Sequence, residues 1–284
     1  MYSKIECEDI ENTNLPFQIR KALSEKAALS NDTRINCFIP KMIEIPGGEF
    51  TMGVDTQTIT KAVEEFEDIL NVFKKNDVIA WFSKSFPPHK MIVNPFRVSK
   101  YLVTNKEFNQ FFFDTYGSVY EVDNLKLNHP AKYVSFDLAK QYCSWLSAKL
   151  KRKYRLLKEE EWEWIATNGG ETRFPWGNNR EGLFANTAEV NINETTAVGL
   201  FPEGFSRNGI ADLGGNVQEW VETLYKPYPG GKVIRDRLYH FGNTIYNVLR
   251  GGCYSLNMDL CLGYRRHGYF PNYSITGFRI CETI

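Results

Sequence analysis

Paired cysteines are missing from this chain. Its six cysteines, Cys7, Cys37, Cys143, Cys253, Cys261 and Cys281, are scattered over 284 residues with no CxxC among them, which argues against a disulfide-stapled framework. Histidine is scarce too. His89, His129, His240 and His267 stand far apart, with no HxxxH spacing to put two on one helical face. That argues against a His-built zinc or non-haem iron site. There is no charge excess of either sign, since 34 Lys and Arg balance 34 Asp and Glu. Nucleic-acid binding normally needs a basic surplus, so nucleic acid is not an expected partner. No apolar run approaches the roughly 18 residues of a membrane span. The opening Met1-Tyr2-Ser3-Lys4-Ile5-Glu6-Cys7 has no apolar stretch of a secretory signal. The chain as it stands reads as cytoplasmic, and a leader removed beforehand would make it secreted or surface-exposed.

What is present is one large α+β pattern. Residues 1–40 form a polar N-terminal extension with a short helix expected from Phe17 to Leu29. The ordered domain is expected over 41–284. Met42–Ile45, the turn Pro46-Gly47-Gly48 and Phe50–Met52 have the pattern of a hairpin. An insertion over 55–93 follows, with Val63, Phe66, Ile69, Leu70 and Phe73 at helical spacing. Phe96–Val103 alternates like a strand, and Thr104 with Glu107 three residues on makes a capping box. Ser135 caps a helix whose stripe of Leu138, Tyr142, Trp145, Leu146 and Leu150 should face the core, with Cys143 a buried thiol. Glu159-Glu160-Glu161 opens a third helix, its acidic turn suited to the helix dipole. From Asn168 onward Gly, Asn, Pro and aromatics predict short strands and long loops without an internal repeat.

The C-terminal run Leu249-Arg250-Gly251-Gly252 through Gly277-Phe278-Arg279 resembles the signature of the formylglycine-generating enzyme, or sulfatase-modifying factor, family. So do Gly47–Gly53, Lys100–Asn105, Tyr142–Leu146, Glu161-Trp162-Glu163, Phe174–Asn178 and Gly215–Trp220, in the same order. Leu157-Lys158 departs from the family, which often has Pro-Thr before the acidic turn. The resemblance implies a C-type-lectin-like fold: a small mixed sheet, two main helices and many long ordered loops. It also implies structural calcium, held by Asp212 and Glu219 carboxylates with Gly215 and Val217 carbonyls. A second set would be Asn186 and Asn191 side chains with the Thr187 and Asn193 carbonyls. Calcium takes six to eight such oxygens. The competing reading of Asp212 and Glu219 is that they cap turns and pair with nearby arginines.

Family oxidases carry a closely spaced cysteine pair that binds copper(I), since soft thiolates select that ion. Aligning the paired glycines puts the second cysteine on Cys261 and the first on Leu256, which cannot ligate. Cys253 stands nearby, where the family usually has serine. An oxidase or oxygenase using Cys261, with copper, is therefore the alternative. The leading expectation is a non-catalytic domain that binds a protein or other surface ligand through 253–274. Its contact residues would be Tyr254, Ser255, Asn257, Asp259, Tyr264, His267, Tyr269, Phe270, Asn272 and Tyr273, because Tyr with Ser and Asn gives large contact area and adaptable hydrogen bonding. This resembles the variable proteins of diversity-generating retroelements, whose variable residues lie at this end of the same fold.

Overall fold

The computed structural model describes residues 39–66, 70–71, 73–120, 126–236, 245–268 and 275–284, together with Phe17, Gln18 and Lys21. The helix expected over Phe17–Leu29 otherwise lies outside the described residues. Nine short strands and five α-helices are described, the strands in three small sheets. Strands β1 (Met42–Ile45), β4 (Phe96–Ser99), β9 (Cys281–Thr283) and β5 (Tyr154–Arg155) make an antiparallel sheet in the order β1-β4-β9-β5. The last strand in sequence thus lies at the centre, tying the C-terminus to the start of the domain. A second sheet, β7 (Asn247–Arg250), β6 (Gln218–Leu224) and β8 (Thr276–Gly277), is mixed, because β6 and β8 run parallel.

The hairpin expected at Pro46-Gly47-Gly48 does not form. β2 (Gly48–Met52) pairs with β3 (His89–Val93), while β1 pairs with β4. Gly47, at φ +70°, packs so closely that a Cβ there would lie 2.1 Å from the Val93 carbonyl oxygen. The glycine step therefore hands the chain from one sheet to the next instead of folding it back. The segment expected as a helical insertion holds α1 (Thr56–Glu65) and α2 (Lys75–Ser83), and its end is strand β3. The two helices thus bridge the strands of a wide hairpin. Their Ile59, Val63, Phe66, Val78 and Phe82 bury against Leu260, Cys261, Leu262 and Tyr264.

The other helices follow the sequence closely. α3 (Asn105–Tyr116) starts at the reciprocal Thr104/Glu107 capping box and ends at Gly117, whose φ of +67° suits a left-handed cap. Ser135 Oγ accepts from Leu138 N at the start of α4 (Phe136–Leu150), where Tyr142, Cys143 and Leu146 are buried. α5 (Glu159–Ala166) carries Glu159 and Glu163 into the interior beneath the C-terminal loops.

Candidate functional site

The C-terminal segment leaves β7 at Arg250 and turns on Gly251, at φ +71°. A Cβ on Gly251 would stand 2.9 Å from the Leu213 carbonyl oxygen, and one on Gly252 2.4 Å from Cys261 Sγ. Close packing at this turn is what requires the glycine pair. Three arginines then nail the segment down. Arg250 pairs with Glu163 and with Glu159, and donates to the carbonyls of Gly263 and Arg265. Arg265 donates to the carbonyls of Gly251 and Leu260. Arg266 meets both oxygens of Glu159 at 2.7 and 2.8 Å. All three are almost wholly buried, so the loop is held from inside by guanidinium–carbonyl and guanidinium–carboxylate bonds.

The nominated contact residues divide. Tyr254 and Asn257 are half-buried and Ser255 is exposed, so these three sit at the surface. Asp259 is buried against Arg180, 2.5 Å away, and Tyr264 is buried in the cluster made with α1 and α2. His267 is half-buried, and its backbone bridges to Leu249; burial, then Arg265 and Lys84, lowers its basicity well below that of an ordinary imidazole. Tyr269, Phe270, Asn272 and Tyr273 lie outside the described residues.

Two neighbours that the sequence did not single out join the surface part. Tyr133 is 57 % exposed with φ +59°, a left-handed conformation uncommon for a bulky residue. It is an electrostatic neighbour of Tyr254. Lys132 Nζ lies 5.4 Å from the Tyr133 ring centroid and 5.9 Å from that of Tyr254. Lys132 also meets Glu194 at 2.5 Å. Burial works to raise the Glu194 carboxyl, but Lys132, the Thr195 N–H and Lys126 outweigh it and hold it at about 2. No sequence periodicity marks Tyr133, because its exposure depends on a left-handed backbone.

Both cysteines of the glycine turn are free and buried. Burial pushes the thiols of Cys253 and Cys261 up, against the opposing pull of Arg265. Cys253 Sγ is 3.4 Å from Ser255 Oγ. At the place of the family's first cysteine, Leu256 packs half-buried between two apolar clusters.

Of the nominated calcium oxygens, Glu219 has both carboxylate oxygens on Arg279, at 2.6 and 2.9 Å. Asp212 Oδ2 accepts from Gly199 N at 2.7 Å, and burial raises its carboxyl to about 6. Gly215 packs on the backbone of Asn186, and the fully buried Asn216 donates its N–H to the Asn186 carbonyl; Val217 is buried beside them. This set fits calcium poorly as it stands, because a guanidinium already occupies its second carboxylate. The other set fits better. Asn186 Nδ2 donates to the Glu194 carbonyl at 2.8 Å, while its buried Oδ1 has no hydrogen-bond partner among the described residues. Asn191 and Asn193 follow, both in left-handed backbone, with Asn193 Nδ2 on Asn191 Oδ1 at 2.9 Å, and Thr187 is buried between.

Among the described residues no helix is long and apolar enough to cross a membrane. The family model for the sulfatase-modifying factor enzyme 1-like domain matches residues 26–284. The hercynine oxygenase of Mycolicibacterium smegmatis is 24% identical over 257 residues, 75% of this chain and 54% of that protein. The inactive C-alpha-formylglycine-generating enzyme 2 of Mus musculus is 26% identical, over 66% of this chain and 70% of that protein. Variable protein 1 of Treponema denticola superposes with a TM-score of 0.62 at 18% identity, over 85% of this chain and 94% of that one. The chain spans about half, or less, of the length of the hercynine oxygenases it matches.

Proposed function

The chain belongs to the sulfatase-modifying factor enzyme 1-like family, and from that premise we propose that it is a recognition domain that binds a protein or other surface ligand, not an oxidase. The observation that carries this reading is the Tyr133–Tyr254–Lys132 cluster beside exposed Ser255. It is an aromatic and polar patch shared between the 132–133 segment and a C-terminal loop fixed from beneath by arginines, the combination of anchor and support that a contact surface needs. Leu256 in place of a thiol, together with the raised thiols of Cys253 and Cys261, removes the pair that oxidation of a substrate cysteine would use. That one relative is named an inactive formylglycine-generating enzyme, and another a variable protein, supports a non-catalytic use of this fold. The double variant Tyr133→Asn with Tyr254→Ser keeps the left-handed position acceptable, since Asn tolerates it. It should keep the wild-type melting temperature yet lose the proteins that the wild-type chain captures from its host lysate. Equal capture by the variant would sink the proposal.

One observation favours the enzymatic alternative. Arg265 is 2 % exposed and forms no ion pair among the described residues, while its charge faces Cys253 and Cys261. A buried cation without a carboxylate favours thiolate over thiol. Cys253 and Cys261 would then be the soft ligands for copper(I), whose redox chemistry would serve an oxidase or oxygenase such as the hercynine oxygenase relative is named to be. Anaerobic titration with Cu(I) separates the two readings. The recognition reading expects no stoichiometric binding, and uptake of one equivalent abolished by Cys261→Ala would replace it.

Structural calcium is part of the proposal. Asn186 and Asn191 side chains with the Thr187 and Asn193 carbonyls would hold the ion, and the unpartnered Asn186 Oδ1 supports that choice. Calcium there would supply no chemistry beyond fixing the loop.

A further inference from the structure

Phe17 and Lys21 of the N-terminal extension are helical, and residues four apart on a helix share a face. Here that face meets the domain. The Phe17 ring centroid lies 5.4 Å from that of Phe201. Leu200 and Phe201 form a small buried apolar cluster of their own, and Phe17, Val190 and Ile192 are the partly buried side chains packed on it among the described residues. Lys21 lines a cleft of about 190 Å3 together with Lys126, His129, Ile192 and Glu194. Both Phe17 and Lys21 precede residues 26–284, the stretch that the family model matches. The contact is therefore an addition to the family domain.

The loop that receives it leads to the Tyr133–Tyr254 patch. Val190 and Ile192 belong to the same loop as Glu194. The Glu194 carboxylate accepts from Thr195 N at 2.8 Å and meets Lys126 at 3.0 Å and Lys132 at 2.5 Å. Lys132 Nζ in turn lies within 6 Å of the ring centroids of both Tyr133 (5.4 Å) and Tyr254 (5.9 Å). Contacts thus run without a break from Phe17 through Ile192 and Glu194 to Lys132. Covering apolar side chains stabilises the arrangement they cover, so a ring lost from this small cluster should loosen the loop before it loosens the main cores.

We propose that Phe17 and Lys21 form a strap that holds the 190–201 loop in place and, through Glu194, positions Lys132 beside the Tyr133–Tyr254 patch. The strap's role at the patch rests on the recognition reading. Its hold on the loop does not, and stands whether or not the patch binds a partner.

Amide hydrogen exchange on the full chain tests the hold. The reporters are the amides of Val190, Asn191 and Thr195, bonded to the Thr187 carbonyl, the Ala188 carbonyl and the Glu194 carboxylate. In Phe17→Ala they should exchange about tenfold faster, as expected when a local opening loses part of a ring's burial. The amides of Ser99 and Val103, bonded to the Ile280 and Phe278 carbonyls, should keep their wild-type rates. Phe17→Leu retains an apolar cover and should restore slow exchange in the loop. Labelling of Lys132 by an amine-reactive ester, read by mass spectrometry, should speed up in Phe17→Ala and not in Phe17→Leu. Unchanged exchange of the loop amides in Phe17→Ala would overturn the proposal. So would equal acceleration at Ser99 and Val103, which would make Phe17 a part of the global core, and so would a Phe17→Leu variant as loose as Phe17→Ala. Unchanged labelling of Lys132 beside a loosened loop would show that the strap does not position the patch.

Discussion

Arg266 shows how single side chains set the shape of this region. Its guanidinium meets both oxygens of Glu159, donates to the carbonyls of Lys84 and Lys226 at 3.0 Å, and lies 4.0 Å from the Tyr228 ring centroid. It thereby joins α5, the end of α2 and the loop after β6 to the C-terminal segment. Replacing it with alanine leaves Glu159 buried and only partly compensated by Arg250, 3.3 Å away, and should cost about 3–5 kcal/mol of stability. Denaturant melts of Arg266→Ala beside Tyr254→Ala check this, the second expected to lose much less because Tyr254 is half solvated. If Tyr254→Ala proves the more damaging, the patch belongs to the core. Arg250 and Arg279 were legible in the sequence because they adjoin Gly251 and Phe278 of the family landmarks. The inward turn of Asp259 and Tyr264 was not. Loop composition looks alike whether a polar side chain faces water or a buried partner, and Asp259 finds Arg180 from far along the chain.

At the scale of elements, local chemistry was readable wherever it decides the outcome. Thr104 and Ser135 stop the chain from continuing as strand or loop, since each satisfies a backbone N–H at the first turn of a helix. The stripe along α4 did the same for packing, with Tyr142 and Leu146 buried and Leu138, Trp145 and Leu150 at its margin. Strand partnership was less readable. Pro46-Gly47-Gly48 has every local mark of a hairpin turn, yet β2 takes its partner from beyond two helices. Turn residues permit a reversal but do not compel one, and the pairing with β3 buries Phe50 and Met52 in the main core. The consequence reaches function. The helices carried between β2 and β3 pack on Leu260–Tyr264, so they turn part of the nominated surface inward.

The molecule as a whole is a small set of short strands carrying long loops, and its order rests on cross-links between those loops rather than on wide sheets. Arg279 is one such link, joining Glu219 to the carbonyls of Ser99, Lys100 and Ala211. Among the described residues, the Asn186–Thr196 loop has no buried guanidinium of this kind. It is held by Asn186 and Asn216: Asn216 Oδ1 accepts from Thr196 N, and Asn216 Nδ2 donates to the Thr196 carbonyl. The Asn186 Oδ1 beside them has no hydrogen-bond partner among the described residues. A calcium ion there would complete the cross-linking, and an ion bound only by the folded state stabilises it by mass action. At a hundredfold excess over its dissociation constant that is about 2.7 kcal/mol, a rise in melting temperature on the order of 5 °C for a chain of this size. Protein stripped of metal should therefore melt lower, and calcium should restore it. Asn186→Ala should melt lower in either condition, since it also loses the bond to the Glu194 carbonyl, so the informative readout is its response to the ion. That response should vanish. A metal-free wild type that melts at the same temperature with and without calcium would mean that hydrogen bonds alone close this loop.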